Sequence, residues 1–219
     1  MATIQAAPFN IVALMVFPED PNGGLDAAAS GYYVSKPTKW DASNDITDGA
    51  EYEKTDGDGG VCCNATGCDT VKGASGSVEL CKFDPLFTGL VTGTTVFTNG
   101  AGDADGYALP HGTLECDQTF AVETWQRVCI GGRRGPGFLR RLWSGVTFTP
   151  NDGALEEDFQ TIAFNWKTRG GPLYLGDRNG ILNDWSGLPS ALGGVWYDPS
   201  TSLPAYPTDE LIPVASLPA

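Results

Sequence analysis

Several segments of this 219-residue chain alternate apolar and polar residues with the two-residue period of half-buried strands. The apolar run Ala6–Phe17 predicts a buried strand over Ile11–Phe17, and "GYYVS" at Gly31–Ser35 predicts a second. Between Thr119 and Ile130 the alternation is regular. Phe120, Val122, Thr124, Gln126 and Val128 face one way; Ala121, Glu123, Trp125, Arg127 and Cys129 face the other. "FLRRLWSGVTFTP" predicts a strand ending near Thr149, and "NDGALEEDF" a turn with one helical turn. Ile162, Phe164 and Trp166 share a face of the strand after it.

One segment changes period. In "SVELCKFDPLFTGLVTGTTVF", Ser77–Phe97, a strand gives way to Asp84-Pro85. Asp84 suits an N-cap, and Pro85 suits the first helical turn, where its missing N–H costs nothing. Leu86, Phe87, Leu90 and Val91 then fall on one helical face, and Gly93 suits a left-handed C-cap. The pattern predicts a helix over about 84–92, with Cys81 in the core beside it.

The total is seven or eight strands and one helix. That predicts a mainly β chain, an antiparallel sandwich or barrel with one short helix laid against it. Gly 29 and Pro 15 agree with many turns. The chain divides into a β-rich body, 1–197, and a Pro-rich extended arm, 198–219. Within the body, 41–70 reads as an acidic, irregular loop insertion. No basic flank precedes Ala6–Phe17, since Lys36 is the first base, so a strand is expected there rather than an export signal. No run is long enough to span a bilayer, and a cytoplasmic site of synthesis with no membrane partner is expected.

Charge sharpens the picture. The net charge is −14, which disfavours binding to nucleic acid or anionic membranes. Seven carboxylates against one lysine lie between Asp41 and Asp58, including Asp41, Asp45, Asp48, Glu51 and Glu53. Five of the eight bases after residue 110 are Arg127, Arg133, Arg134, Arg140 and Arg141, and no acid lies between Glu123 and Asp152. Opposed patches of this kind fix orientation when subunits associate. These ten residues are therefore the candidate inter-subunit contacts, through an interface that closes into a ring or extends as a tube.

Catalytic chemistry is poorly supported. His111 is the single histidine, no G-x-S-x-G elbow accompanies it, and no phosphate-binding glycine loop occurs. Cys62, Cys63 and Cys68 lack the C-x2-C grip for zinc, and "DGDGG" and "GDADG" lack the rest of a calcium loop. The six cysteines stay open between free thiols, a disulfide and zinc, with free thiols favoured. Glu156, Glu157 and Asp158 carry no spacing that marks a glycosidase pair, and Trp185, Trp196 and Tyr197 suit packing as well as sugar binding. The expectation is a protein that is not an enzyme, has no cofactor and has no metal.

Several pieces together resemble the major tail proteins, the tail tube subunits, of long-tailed (siphovirus-type) actinobacteriophages. They are "GGVCC" at Gly59–Cys63, "VELCKFDPLFTGLVTG" at Val78–Gly93, "GYALP" at Gly106–Pro110, "VETWQRV" at Val122–Val128, and "LRRLWSGVTFT" before the "NDG" turn. The resemblance implies a β-sandwich-like core with one flanking helix. It implies self-assembly into stacked, hexameric rings in the virion tail, built in the host cytoplasm. The partners it implies are copies of the chain, the tape measure, terminator and distal tail proteins, and genomic DNA passing without specific binding. Terminal arms and long loops would bridge rings. The alternatives are a tail terminator, minor tail or capsid-decorating protein, and then a carbohydrate-binding or hydrolytic β-sandwich.

Overall fold

The computed structural model describes residues 7–20, 25–48, 51–55, 61–66, 68–108, 118–130, 133–151, 162–168, 193–198, 203 and 210–214. The chain is mainly β: fourteen strands and one helix lie among these residues, more strands than the apolar pattern alone marks. The central pair is β1 (Ala7–Pro18) and β10 (Phe120–Ile130), antiparallel from Ala7↔Cys129 to Pro18↔Phe120. Outside β1 lies β2 (Ser30–Ser35), and outside that β14 (Leu211–Pro213). On the other side β10 pairs with β11 (Arg133–Pro150), then come β12 (Ile162–Thr168) and β7 (Thr70–Leu80). All these pairings are antiparallel.

The core has two layers, one on each face of the central strands. Leu14, Val16, Tyr32, Val34, Phe120 and Val122 point to one cluster, which the helix covers. Ala13, Met15, Phe17, Tyr33, Ala121 and Trp125 point to the other, where Leu203, Ile212 and Val214 join them. Both alternating sets are therefore buried over Ala13–Pro18 of β1 and Phe120–Trp125 of β10. At the end of the body β13 (Gly193–Asp198) pairs with β11, and within the Pro-rich segment 198–219 the described residues Ile212 and Val214 pack on the chain's own sheet. Apolar residues on a three-residue strand bury area against β2 that a free arm would leave in water.

Strand β11 serves two neighbours on one edge. Trp143 pairs with Val122 on one side and Gly193 on the other; Val146 pairs with Phe120 and, opposite, Thr168. So β13 and β12 follow one another along the edge away from β10. Between them the register with β10 slips by one residue, and Gly145 takes a φ of 59°. A residue with a Cβ is strained there. The slip turns the strand over, as a one-residue insertion must. Phe138 and Leu142 feed the second cluster, whereas Val146 and Phe148 feed the first. The carboxylate of Glu19, from just past β1, holds this bulge. It accepts from the Ser144 hydroxyl and from Gly145 N at 2.8 Å, while Thr168 Oγ1 donates to the Ser144 carbonyl.

The helix α1 (Pro85–Thr92) forms as its caps predict: Asp84 is extended, its side chain accepts from Phe87 N, and Gly93 is left-handed at φ 67°. Its buried face is broader than the predicted stripe. Pro85, Phe87, Thr88, Gly89, Val91 and Thr92 are buried, and Leu86 and Leu90 are half-buried against the same cluster. Phe87 sits among Tyr32, Phe148 and Phe164 at ring distances of 5.9, 6.2 and 5.4 Å. Cys81, expected in the core, is exposed, because it follows the last residue of β7 and starts the turn into Asp84.

The stretch 41–70, expected to be irregular, holds three strands. β4 (Ser43–Thr47) pairs with β7, and β5 (Glu51–Thr55) pairs with β6 (Val61–Thr66). From Ile46 to Lys54 the two ladders share one register, with a shift at Asp45/Ile46 in the first and at Lys54/Thr55 in the second. Thr47 faces Thr70 and Glu51 faces Thr66, with three residues left between the ladders on each side. β4 lies beside β3 (Lys39–Trp40) on the edge of β7, and β5 with β6 forms a separate two-stranded ladder; together they make up the arm.

Candidate assembly surface

Asp84 is held at both carboxylate oxygens. It is buried, and one oxygen accepts from Phe87 N at 3.0 Å. The other accepts from the Tyr32 hydroxyl at 2.7 Å. The cap therefore also ties the helix to β2, a link 52 positions apart that no local pattern signals. Its bonds are all structural, which agrees with a cap and not a general acid.

The acidic set divides at the root of the arm. Asp41 forms an ion pair with Lys39 at 2.6 Å and accepts from the Ser77 hydroxyl at 3.1 Å. The Lys39 ammonium beside it holds the Asp41 carboxyl below the usual carboxylate range, and Asp41 in turn raises Lys39. Asp41 is thus bound within its own chain. Asp45 accepts from the Ser75 hydroxyl at 2.9 Å, and Asp48 is exposed. Glu51 and Glu53 belong to β5 by backbone; their side chains lie outside the described residues.

β4 is exposed at every residue, on both faces, and Thr70, Val71 and Lys72 opposite it are exposed too. Ile46 and Val71 face each other across the ladder at 56% and 50% exposure. A two-stranded ribbon is marginal in water by itself. This one combines acid with an uncovered apolar pair.

The arginines part company according to which face of the sheet they reach. Arg140 is not available as an inter-subunit contact: it is 5% exposed, its guanidinium is bound to the fully buried Glu123, and it lies 4.1 Å over the Trp125 ring. Arg127 lies 4.9 Å over the Phe138 ring and is half-buried. Arg134 is exposed. Arg141 points to the opposite face from Arg140, is half-buried, and has no partner for its buried Nε among the described residues. Arg133 is placed by backbone opposite Ile130; its side chain lies outside the described residues.

The Glu123–Arg140 pair was missed in the sequence, yet a signal existed. Glu123 interrupts the apolar set Ala121–Trp125, and Arg140 interrupts the apolar set Phe138–Leu142. An acid and a base, each set in an apolar alternation, are candidates to meet. The structure places Glu123 opposite Leu142 and Arg140 opposite Trp125, a diagonal contact on one face.

Other candidates contribute little. Among the described residues no three of His, Cys, Asp or Glu converge to hold a metal ion, and Cys68 and Cys81 are free and exposed. Cys62 and Cys63 lie in β6 by backbone. His111, Glu156, Glu157, Asp158 and Trp185 lie outside the described residues, as do the side chains of Trp196 and Tyr197. Trp40 stacks on Trp166 at 4.6 Å and Trp143 tilts against Trp166 at 5.3 Å, so these rings pack on one another. No helix among the described residues is long and apolar enough to cross a membrane. A scan against protein-family models and a search of curated proteins found no match to this chain.

Proposed function

We propose that this chain is a self-assembling structural protein, the tail tube subunit of a long-tailed actinobacteriophage. Its copies would form stacked, hexameric rings of sandwich-like β subunits in the virion tail, with an electronegative conduit for DNA ejection. The observation that carries the reading is the arm. A 43–66 excursion, acidic and exposed on both faces at its root, gains nothing for the isolated subunit and much for a chain that meets copies of itself. The antiparallel sheet offers edges for such pairing, and the net charge of −14 supports a wall that lets DNA slide. The quoted motifs support the same family. Tape measure, terminator and distal tail proteins would be the further partners.

Concentrated purified protein, examined by negative-stain microscopy and light scattering, should form rings or tubes. A chain that stays monomeric at every concentration and ionic strength would sink the reading. Rings that never stack would favour a terminator, and binding to shells without self-association a decorating protein.

A further inference from the structure

On the basis of the self-assembly reading, we infer that two lysines at the root of the arm, Lys72 and Lys167, form an open socket for the Asp105 carboxylate of a second copy of this chain.

The socket is made by a β-bulge. In the β4–β7 ladder Asp45 faces Gly73 and Ile46 faces Val71, so Lys72 is the extra residue. A bulge re-aims a side chain. On the other edge of β7, Lys167 pairs with Ser75 and Thr168 with Ala74. Lys72 and Lys167 line one open cavity of about 550 Å³, together with Gly73, Thr168 and Asp45. Both lysines are exposed. Neither ammonium has an ion pair or hydrogen bond among the described residues, whereas Lys39, on the same edge of β7, holds two carboxylates. Asp45 is engaged by the Ser75 hydroxyl at 2.9 Å. Two cations around one cavity repel each other, and an anion between them relieves that repulsion.

A matching anion stands beyond the other end of β7. From Gly73 to Leu80 the strand covers about 24 Å, at about 3.4 Å per residue. Past Leu80, Phe83 stacks on Tyr107 at 5.8 Å and ties the hairpin of β8 (Val96–Thr98) and β9 (Ala104–Tyr107) to that end. The hairpin tip is ordered by Asn99. Its side-chain oxygen accepts from Ala101 N at 2.9 Å and Asp103 N at 3.0 Å, and its backbone N–H donates to the Asp103 carbonyl at 2.9 Å. Asp105 is exposed, and its carboxylate has no hydrogen bond or ion pair among the described residues. An anion carried on an ordered loop loses less entropy when it docks.

The surroundings of the two sites favour a protein as the occupant. Ile46 and Val71 are exposed beside Lys72, and Phe97, opposite Gly106 in the hairpin, is exposed beside Asp105. A bare phosphate would leave Ile46 and Val71 in water, whereas the hairpin brings an aromatic ring to cover them. A lysine ammonium has three donors and takes a single carboxylate oxygen without a fixed fork geometry. Socket and plug toward opposite ends of β7 make a head-to-tail contact, which propagates from copy to copy instead of closing a dimer.

The test is a charge exchange between two preparations. One carries Lys72→Glu with Lys167→Glu, the other Asp105→Lys. With wild type assembling, each variant alone should need at least about tenfold more protein to assemble, because like charges then meet at the contact. An equimolar mixture should recover, since each variant's hairpin suits the other's socket. Lys72→Gln with Lys167→Gln, which removes the charge without reversing it, should also show the loss, with a thermal melt like wild type. Unchanged assembly of both lysine variants, while wild type forms tubes, would overturn the socket and leave the tube reading standing. A mixture that fails to recover overturns it too, as does a fall in duplex DNA retention with assembly intact, which would make the ligand a phosphate. A wild-type protein that never assembles would overturn the tube reading and this contact with it.

Discussion

The β1–β10 pair and the arm are built from the same antiparallel ladder but are stabilised in opposite ways. At β1 and β10 both faces are covered, from Leu14 and Val122 on one side to Met15 and Trp125 on the other. Even a charge, Glu123, is matched inside. At β4 neither face is covered. Hydrogen bonds in a ladder contribute little net stability when water competes for them, so burial decides which ladder stands by itself. The central pair is covered on both faces within one chain, and β4 is covered on neither.

That contrast can be attacked at its strongest point first. Glu123→Ala strands Arg140 in the core and should cost about 3–5 kcal/mol in urea unfolding. Replacing Glu123 and Arg140 together by methionine should recover most of the loss. If the single variant lost less than about 1 kcal/mol, the two regions would differ less than claimed. Next, Asp84→Ala removes a cap, worth roughly 0.5–2 kcal/mol, and orphans the buried Tyr32 hydroxyl, adding about 1–3 kcal/mol. Tyr32→Phe keeps the cap and should cost only about 1 kcal/mol by thermal melt. Smaller still is the effect at the arm. Ile46→Ser with Val71→Ser should leave subunit stability within about 0.5 kcal/mol for each site while weakening self-association by light scattering. Subunit destabilisation with normal assembly would reverse that assignment.

The smallest effect concerns pH. Asp41 is lowered by Lys39, so its contribution at the arm's root is present at neutral pH and fades as pH falls below about 4. Lys39 is raised, so its share is present below about pH 10.4 and fades above it. Both groups are exposed, and solvent screening keeps the effect slight. NMR titration of Asp41 in the wild type and in Lys39→Met should show the midpoint move up in the variant.

Local patterns made the helix, its two caps, β2, β10 and β12 legible, because each rests on neighbours in sequence. The arm was not legible. Its Gly, Asp and Asn residues look like turn punctuation, and β4 buries nothing that would leave an apolar alternation. The second core layer was hidden for another reason: alternation assigns residues to two faces but does not say whether both are covered. The same limit explains the arginines. Arg140 and Arg141 look alike in composition, and only the pairing register of β11 shows one inside and the other turned toward Thr124.

The register common to Ile46–Thr47 and Glu51–Lys54 has a practical meaning for anyone altering the arm's length. Residues inserted in equal number between Thr47 and Glu51 and between Thr66 and Thr70 would extend the reach by about 3.4 Å per pair and keep the distal ladder in step. Two such pairs would also keep every side chain on its original face. A single residue on one side would instead create a bulge and twist the tip away. The arm is therefore an adjustable spacer, and the repeat distance of any assembly it spans should follow its length in discrete steps.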